Sequence, residues 1–286
     1  MSSEERFGLV SDTLASSFVD GPGHRFVVFM QGCDFDCVAC HNPYTIHVCH
    51  HCGECVDACR SGALRFDGVT VHYDAGLCSH CDDCIRACSY DSTPKAQSVS
   101  TTALVERVRA VAPYLSGVTV SGGEATLQAP FVRAFFARLA ADPELARLSR
   151  FVDSNGGASD EVWDALEPVM DGAMIDLKAF DDELHHRLTG VGNAAVLRTI
   201  ERLAARGTLY EVRLLLMPGS NDDPELLAHT ARFLAGVDPQ LRVKLIGFRR
   251  HGTRAPARLL DEPTADAMRG YEALVRAAGL ERVTTV

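Results

Sequence analysis

The sequence predicts an α/β protein built on a partial (β/α)6 TIM-type barrel, interrupted near its start by a small cysteine-rich domain. Three observations carry this expectation. Short apolar runs alternate with amphipathic segments of helical period from Phe26 onward. All eleven cysteines fall between Cys33 and Cys88. The stretch that holds eight of them, 44–97, has few long apolar runs and carries two near-copies of one pattern.

The apolar runs are read as strands at Phe26 to Met30, Val118 to Ser121, Phe151 to Asp153, Ala173 to Asp176, Tyr210 to Met217 and Arg242 to Ile246. The helical segments between and after them are Ala103 to Val111, Phe131 to Ala141, Glu161 to Leu166, Ala194 to Ala205, Pro224 to Ala235 and Ala265 to Ala278. Alternation at this spacing implies parallel strands with right-handed crossovers. A complete eight-unit barrel needs about 250 residues, so six units fit the length that remains. The expected division is a discontinuous core, 1–43 and 98–286, with 44–97 inserted after the first strand. So short a segment cannot build much core, and a metal has to hold it together.

Composition narrows the class. The 286 residues are 47% hydrophobic, which excludes global disorder. No apolar run approaches the ~18 residues that span a bilayer, and the start, Met1 to Arg6, lacks the basic and apolar regions of a signal peptide. The expectation is a cytoplasmic protein without a membrane partner, whose thiols are metal ligands and not disulfides. A net charge of −10 argues against a nucleic-acid partner. Only Lys95, Lys178 and Lys244 are lysines, against 25 arginines, so each lysine stands where arginine was the habitual choice.

The cysteines fall into three sets. Cys49-x2-Cys52-x2-Cys55-x3-Cys59 and Cys78-x2-Cys81-x2-Cys84-x3-Cys88 have the spacing of a bacterial two-cluster ferredoxin, in which each run lends its fourth cysteine to the other cluster. The expected ligand sets are Cys49, Cys52, Cys55 and Cys88 for one [4Fe–4S] cluster, and Cys78, Cys81, Cys84 and Cys59 for the other. Paired C-x2-C elements also make zinc sites, and His47, His50, His51 and His80 are near; the x2-x2-x3 rhythm favours iron–sulfur. Arg60 and Ser89 replace the proline that usually follows the fourth cysteine. The remaining set, Cys33-x3-Cys37-x2-Cys40, gives a third cluster three thiolates and leaves one iron open to a chelating molecule.

With these cysteines in place, the chain resembles the radical S-adenosylmethionine enzymes, and within them the glycyl radical enzyme activating enzymes. The resemblance runs through Asp20-Gly21-Pro22-Gly23-His24-Arg25, Phe29 to Cys33, Cys40-His41-Asn42-Pro43 and Ser121-Gly122-Gly123-Glu124. It continues through Asp153 to Gly156, Asp176-Leu177-Lys178 and Pro218 to Asp223. It implies a radical barrel whose carboxyl strand ends bind S-adenosylmethionine, and a ferredoxin-like insert of the kind that many members carry.

The resemblance also implies residue roles. Cys33, Cys37 and Cys40 carry the catalytic cluster. Gly122, Gly123 and Glu124 take the cofactor's amino group, with glycine permitting close backbone approach. Asp153 and Asp176 serve the ribose or hold a monovalent cation, and Lys178 offers a cation to the cofactor carboxylate. Arg213 either reaches the cofactor or pairs with a core acid. Ala39 stands where an aromatic residue is frequent, so the adenine contacts differ, and Arg249, Arg250 and His251 share the register of a late cofactor contact. Trp163, His185, His186 and His229 are read as surface or packing residues.

The activity implied is reductive cleavage of S-adenosylmethionine, with the resulting 5′-deoxyadenosyl radical abstracting a glycine Cα hydrogen in a partner glycyl radical enzyme. Flavodoxin or ferredoxin would donate the electron. Two other readings stand beside it: a radical enzyme acting on a small molecule or peptide, and an iron–sulfur electron carrier without catalysis.

Overall fold

The computed structural model describes residues 5–286. In chain order its elements begin with strands β1 (Phe7–Ser17) and β2 (Arg25–Met30). Strands β3 (Leu64–Phe66) and β4 (Val71–Tyr73), the four-residue helix α1 (Asp83–Arg86) and strand β5 (Gln97–Ser100) follow. The alternating part comprises α2 (Thr101–Val111), β6 (Gly117–Gly122), α3 (Ala129–Ala141), β7 (Ser149–Ser154), α4 (Asp160–Leu166) and β8 (Gly172–Asp176). It ends with α5 (Asp182–Thr189), α6 (Ala194–Ala205), β9 (Leu209–Leu216), α7 (Pro224–Val237), β10 (Arg242–Gly247), α8 (Ala265–Ala277) and β11 (Arg282–Thr285).

Nine strands form one open mixed sheet in the order β11-β10-β9-β8-β7-β6-β2-β1-β5. The seven strands from β11 to β2 run parallel. Strand β1 is antiparallel to both of its neighbours, β2 and β5. The six expected parallel strands and six expected helices are all present, shifted by two residues or fewer at their ends. The all-parallel (β/α)6 expectation is corrected at the edges, where β1, β5 and β11 extend the sheet to nine strands. Helix α5 is a further element that the periodicity did not show.

Local chemistry explains the element ends. Ser100 accepts from the Ala103 N–H at the start of α2, Asp181 from Leu184 N–H at α5, and Asp223 from Leu226 N–H at α7. Val118 and Val120 of β6 pack with Phe135, Phe136 and Leu139 of α3 and with Trp163 of α4, all nearly solvent-free. Each such large side chain contributes about 1.5–3 kcal/mol on burial. Trp163 is therefore a core residue.

Between β2 and β5 the chain leaves the main sheet. Here β3 and β4 form a separate two-stranded antiparallel sheet, with a small core of Cys55, Leu64, Val71 and Cys84. Gln31 at the end of β2 ties this segment down, its amide donating to the Tyr44 and His47 carbonyls at 2.9 and 2.7 Å. No helix among the described residues is long and apolar enough to cross a membrane.

Candidate active site

The carboxyl ends of β2, β6, β7, β8, β9 and β10 converge on a cavity of about 290 Å³. Its wall includes Cys33, Cys37, Cys40, Gly122, Gly123, Glu124, Asp153, Asp176, Lys178 and Arg213. Nine of these are the residues singled out for the radical cluster and its cofactor, and the tenth is the arginine left between two roles.

The cysteine loop leaves β2 and is held from three sides. Cys33 N–H donates to the Ile46 carbonyl at 2.9 Å. Asp36 and Val38 N–H donate to the last carbonyls of α5, Thr189 and Leu188, at 2.8 and 2.9 Å. These are acceptors that a helix end otherwise leaves unpaired. Asn155 donates to Asp34 at 2.8 Å. Burial pushes the Cys33 thiol up to about 12 and the Cys37 thiol up to about 11, with Lys178 and Arg254 opposing the rise at Cys37. Bare thiolates are thus disfavoured here, and a bound cation or cluster would compensate for the burial.

Gly122 and Gly123 are required by close approach. A Cβ on Gly122, at φ +113°, would lie 2.2 Å from Met30 N, and one on Gly123 would lie 2.2 Å from the Gly32 carbonyl oxygen. The absence of both side chains lets Gly123 N–H and Glu124 N–H reach the Met30 and Gly32 carbonyls at 2.9 and 2.7 Å.

Glu124 turns inward and is 1% exposed. Its Oε1 accepts from Thr126 N–H, Thr126 Oγ1 and Ser154 Oγ at 2.9, 2.6 and 2.8 Å, and its Oε2 accepts from Asn155 N–H at 2.7 Å. Burial pushes this carboxyl up to about 7 against those four bonds. Its main geometric effect is to bolt the end of β6 to the end of β7.

The charged residues of β7, β8 and β9 form one network. Arg213 Nη1 lies 3.0 Å from Asp153 Oδ1 and Nε lies 3.0 Å from Glu211 Oε1, while Lys244 reaches the same Glu211 oxygen at 3.2 Å. Of its two readings, Arg213 takes the core-acid pairing while still lining the cavity. Ser121 Oγ donates to Asp153 Oδ2 at 2.8 Å. Burial pushes Asp153 up despite Arg213. At Asp176 the upward push of burial is outweighed by Lys178 and Arg213, so its pKa is lowered. Just past the end of β8, Leu177 N–H still donates to the Arg213 carbonyl at 3.0 Å, and Lys178 meets Asp176 with Nζ 2.7 Å from Oδ2. Against the cations Lys178 and Arg213 the wall sets Asp20, Glu124, Asp153 and Asp176, an acidic balance that suits a cationic ligand.

Of the 44–97 cysteines, Cys49, Cys52, Cys55 and Cys88 line one small cavity, and Cys55 also packs with Cys84 in the small core. Cys59 bears electrostatically on Cys84, and Cys78 is the hydrogen-bond partner of Tyr73, which Cys84 also influences. In all three cysteine sets the second residue after the first cysteine donates its N–H to that sulfur at 3.4 Å, from Phe35 to Cys33, His51 to Cys49 and His80 to Cys78. His51 and His80 both hold positive φ, 59° and 55°, so the two copies share backbone form as well as spacing. Among the described residues no group of three or more Cys, His, Asp or Glu donors is gathered for a single metal ion.

Arg249, Arg250 and His251 line a larger cleft of about 1600 Å³ and stay off the wall of the smaller cavity. The two spaces share His41, Asn42 and Ile246. His185, read as a surface or packing residue, takes the packing role: it is fully buried, meeting Phe35 edge-on at 5.8 Å and the Val191 carbonyl at 2.7 Å. The roles of two other residues escaped the sequence reading. Arg254 pairs with Asp36, and Lys95 pairs with Asp82 at 2.6 Å, its charge felt at Cys78 and Cys84. The lysine scarcity was a usable signal for Lys95; nothing distinguished Arg254 among 25 arginines.

An α/β sheet with three cysteines and an acidic wall at its carboxyl strand ends defines the class. The profile of the Radical SAM superfamily matches residues 27–231, and the chain belongs to that family. It is 25% identical over 244 residues to the pyruvate formate-lyase-activating enzyme of Staphylococcus epidermidis, covering 82% of this chain and 78% of that protein. Among solved structures, a domain of pyruvate-formate lyase-activating enzyme from Bacteroides vulgatus matches 60% of this chain and 99% of its own, with 25% identity and a TM-score of 0.50. QueE from Escherichia coli shares the fold at 11% identity and a TM-score of 0.56, over 98% of this chain and 94% of its own.

Proposed function

We propose that the chain is a glycyl radical enzyme activating enzyme. The observation that carries this reading is the convergence of Cys33, Cys37, Cys40, Gly122, Gly123, Glu124, Asp153, Asp176 and Lys178 on one acidic cavity. Similarity to pyruvate formate-lyase-activating enzymes over most of both chains supports it.

When bound, a [4Fe–4S] cluster with one open iron supplies the electron that cleaves S-adenosylmethionine to methionine and a 5′-deoxyadenosyl radical, which takes a Cα hydrogen from a glycine of the partner enzyme. Cys33, Cys37 and Cys40 would hold the cluster. Backbone carbonyls of Gly122 and Gly123 would face the cofactor's ammonium, with Glu124 fixing that segment. Lys178 would meet its carboxylate, and Asp153 and Asp176 its ribose or a monovalent cation. The buried wall would keep water from the reacting atoms. Residues 44–97 form the ferredoxin-like domain of this reading, with Cys49, Cys52, Cys55 and Cys88 holding one further [4Fe–4S] cluster and Cys78, Cys81, Cys84 and Cys59 the other, the core being 1–43 and 98–286. A flavodoxin or ferredoxin supplies the electron in an anaerobic, reducing cytoplasm.

Anaerobic reconstitution tests each layer. About twelve iron per chain is expected for three cubes; about eight fits two cubes, and zinc overturns the cluster assignment. Absence of 5′-deoxyadenosine after adding reductant and S-adenosylmethionine overturns the enzyme reading. Absence of a glycyl doublet by EPR with every glycyl radical enzyme encoded beside the gene overturns the activase reading.

A further inference from the structure

Residues 248–258, which follow β10, fold over the far side of the cysteine loop. His41, the residue after Cys40, hydrogen-bonds the Arg249 carbonyl at 2.9 Å and stacks on Phe248 with ring centroids 6.1 Å apart. Thr253 is buried. Next to it, Arg254 extends a guanidinium that is only 16% exposed between two carboxylates of different parts of the chain. One is Asp36, inside the cysteine loop and adjacent to Cys37. The other is Asp91, whose Oδ2 lies 3.2 Å from Arg254 Nε. The Nε–H is not aimed at that oxygen, so this leg is a contact of charges and no hydrogen bond. Asp91 stands three residues after Cys88, and its carbonyl also accepts from His47 N–H at 3.2 Å.

We propose that Arg254 is a positioning residue that fixes the 44–97 segment against the radical cluster, bridging Asp91 to Asp36 through one guanidinium. Its charge also sets the reducibility of the cluster held by Cys33, Cys37 and Cys40. The proposal rests on the reading of that site given above. Arginine suits the task because its delocalised, planar charge can donate an N–H to Asp36 from one edge while lying against the Asp91 carboxylate along another, which a compact ammonium does not. The charge is held beside the cysteine loop by geometry: Arg254 pairs with Asp36, the chain neighbour of Cys37, and its guanidinium is only 16% exposed. A nearby cation stabilises the reduced, more negative cluster, so removing it moves the midpoint potential to more negative values.

The test uses reconstituted wild-type, Arg254→Gln, Arg254→Lys and Asp91→Asn proteins, read by hydrogen exchange and by EPR-monitored redox titration of the cluster that binds S-adenosylmethionine. Arg254→Gln is expected to speed exchange across 88–97 about fivefold, the change that loss of a ~1 kcal/mol ion pair sets, and to shift the potential negative. Arg254→Lys is expected to speed exchange equally while holding the potential near wild type. Asp91→Asn is expected to speed exchange without a negative shift. The proposal is overturned if Arg254→Gln leaves exchange across 88–97 unchanged, if exchange rises equally in β7, or if Arg254→Lys lowers the potential as far as Arg254→Gln. A wild-type protein that takes up no cluster at the first three cysteines overturns the reading of the site itself, and the exchange comparison then stands alone.

Discussion

Replacing Glu124 by glutamine changes one atom in the most densely bonded carboxylate of the site. The wild-type group accepts four hydrogen bonds, three at Oε1 and one at Oε2. The amide has one acceptor oxygen. Placed at the Oε1 position it serves Thr126 and Ser154, but its NH2 then faces the Asn155 N–H, which lies 2.7 Å from Oε2 in the wild type. Flipped, it leaves three donors facing a donor. The better orientation orphans one buried N–H, at about 1–3 kcal/mol, and turns three bonds to a carboxylate into weaker neutral ones. A total near 3 kcal/mol follows, or about 5 °C in a chain of this size. For comparison, Ser154→Ala removes one donor to Glu124 and also the hydroxyl that accepts from the buried Gly156 N–H, and is expected to cost about 2 kcal/mol.

The assay is the thermal midpoint of the reconstituted proteins, paired with equilibrium binding of S-adenosylmethionine. If Glu124 is chiefly a bolt between β6 and β7, Glu124→Gln loses stability with or without cofactor, and binding weakens as a consequence. A midpoint within about 1 °C of wild type, with cofactor binding lost, would refute the reasoning and assign the carboxylate directly to the ammonium.

Three other perturbations check the frame around the site. Gly123→Ala places a methyl 2.2 Å from the Gly32 carbonyl oxygen and 2.7 Å from that of Thr45; a cost of up to about 3 kcal/mol and a loss of bound iron at the first three cysteines are expected, and normal iron content would contradict the packing. Arg25→Met leaves the Thr119 and Ser149 hydroxyls and the Val118 carbonyl without their donor at a fully buried position, for about 3 kcal/mol in denaturant unfolding; a change under 1 kcal/mol would sink the idea that this guanidinium knits β2, β6 and β7. Burial lowers the pKa of His185 below its ordinary 6.5. The unfolded chain therefore takes up the proton first as pH falls through that value, and stability declines. His185→Gln is expected to flatten the stability profile between pH 7 and 5, and an unchanged slope would count against a buried neutral imidazole.

Legibility in the sequence followed burial. The parallel strands were readable because both of their faces are covered, which leaves near-continuous apolar runs such as Phe26 to Met30 and Ala173 to Ile175. β1 hid because only Gly8, Val10 and Ser17 of its eleven residues are buried, and β5 and β11, four residues each, because they close the sheet's edges. α5 was presumed at His185 and His186 but not delimited, because its eight residues are short for a periodic pattern and include two adjacent histidines, one of which is solvent-free. At the site, the clustered thiols were found by spacing, whereas the paired glycines and Lys178 were found through the resemblance of the surrounding motifs to a known family, with lysine scarcity as a second signal for Lys178. Partnerships were not. Whether Glu124 faces a ligand or the protein, and whether Arg213 reaches outward or pairs with Asp153, depends on which strand ends become neighbours. A chain read in one dimension does not carry that information.

Those partnerships bear on what the cavity can accept. Asp153 is engaged by Arg213 and Ser121, Asp176 by Lys178, and Glu124 by four donors of Thr126, Ser154 and Asn155, which follow or end β6 and β7. The acidic wall is therefore held in place by bonds that exist before any ligand arrives, and little reorganisation is left to carry out on binding. An excess of carboxylates over cations remains after every pair is counted, because Asp20 is met by the neutral Ser17 hydroxyl and Glu124, partly ionised near pH 7, by neutral donors alone. An anionic ligand would meet that excess in a buried, weakly screened setting. A ligand that carries both an ammonium and a sulfonium meets attraction there, and its single carboxylate still finds Lys178. The charge pattern thus selects on the same side as the three cysteines do, and the two features come from different strand ends: the thiols from β2, the carboxylates from β6, β7 and β8.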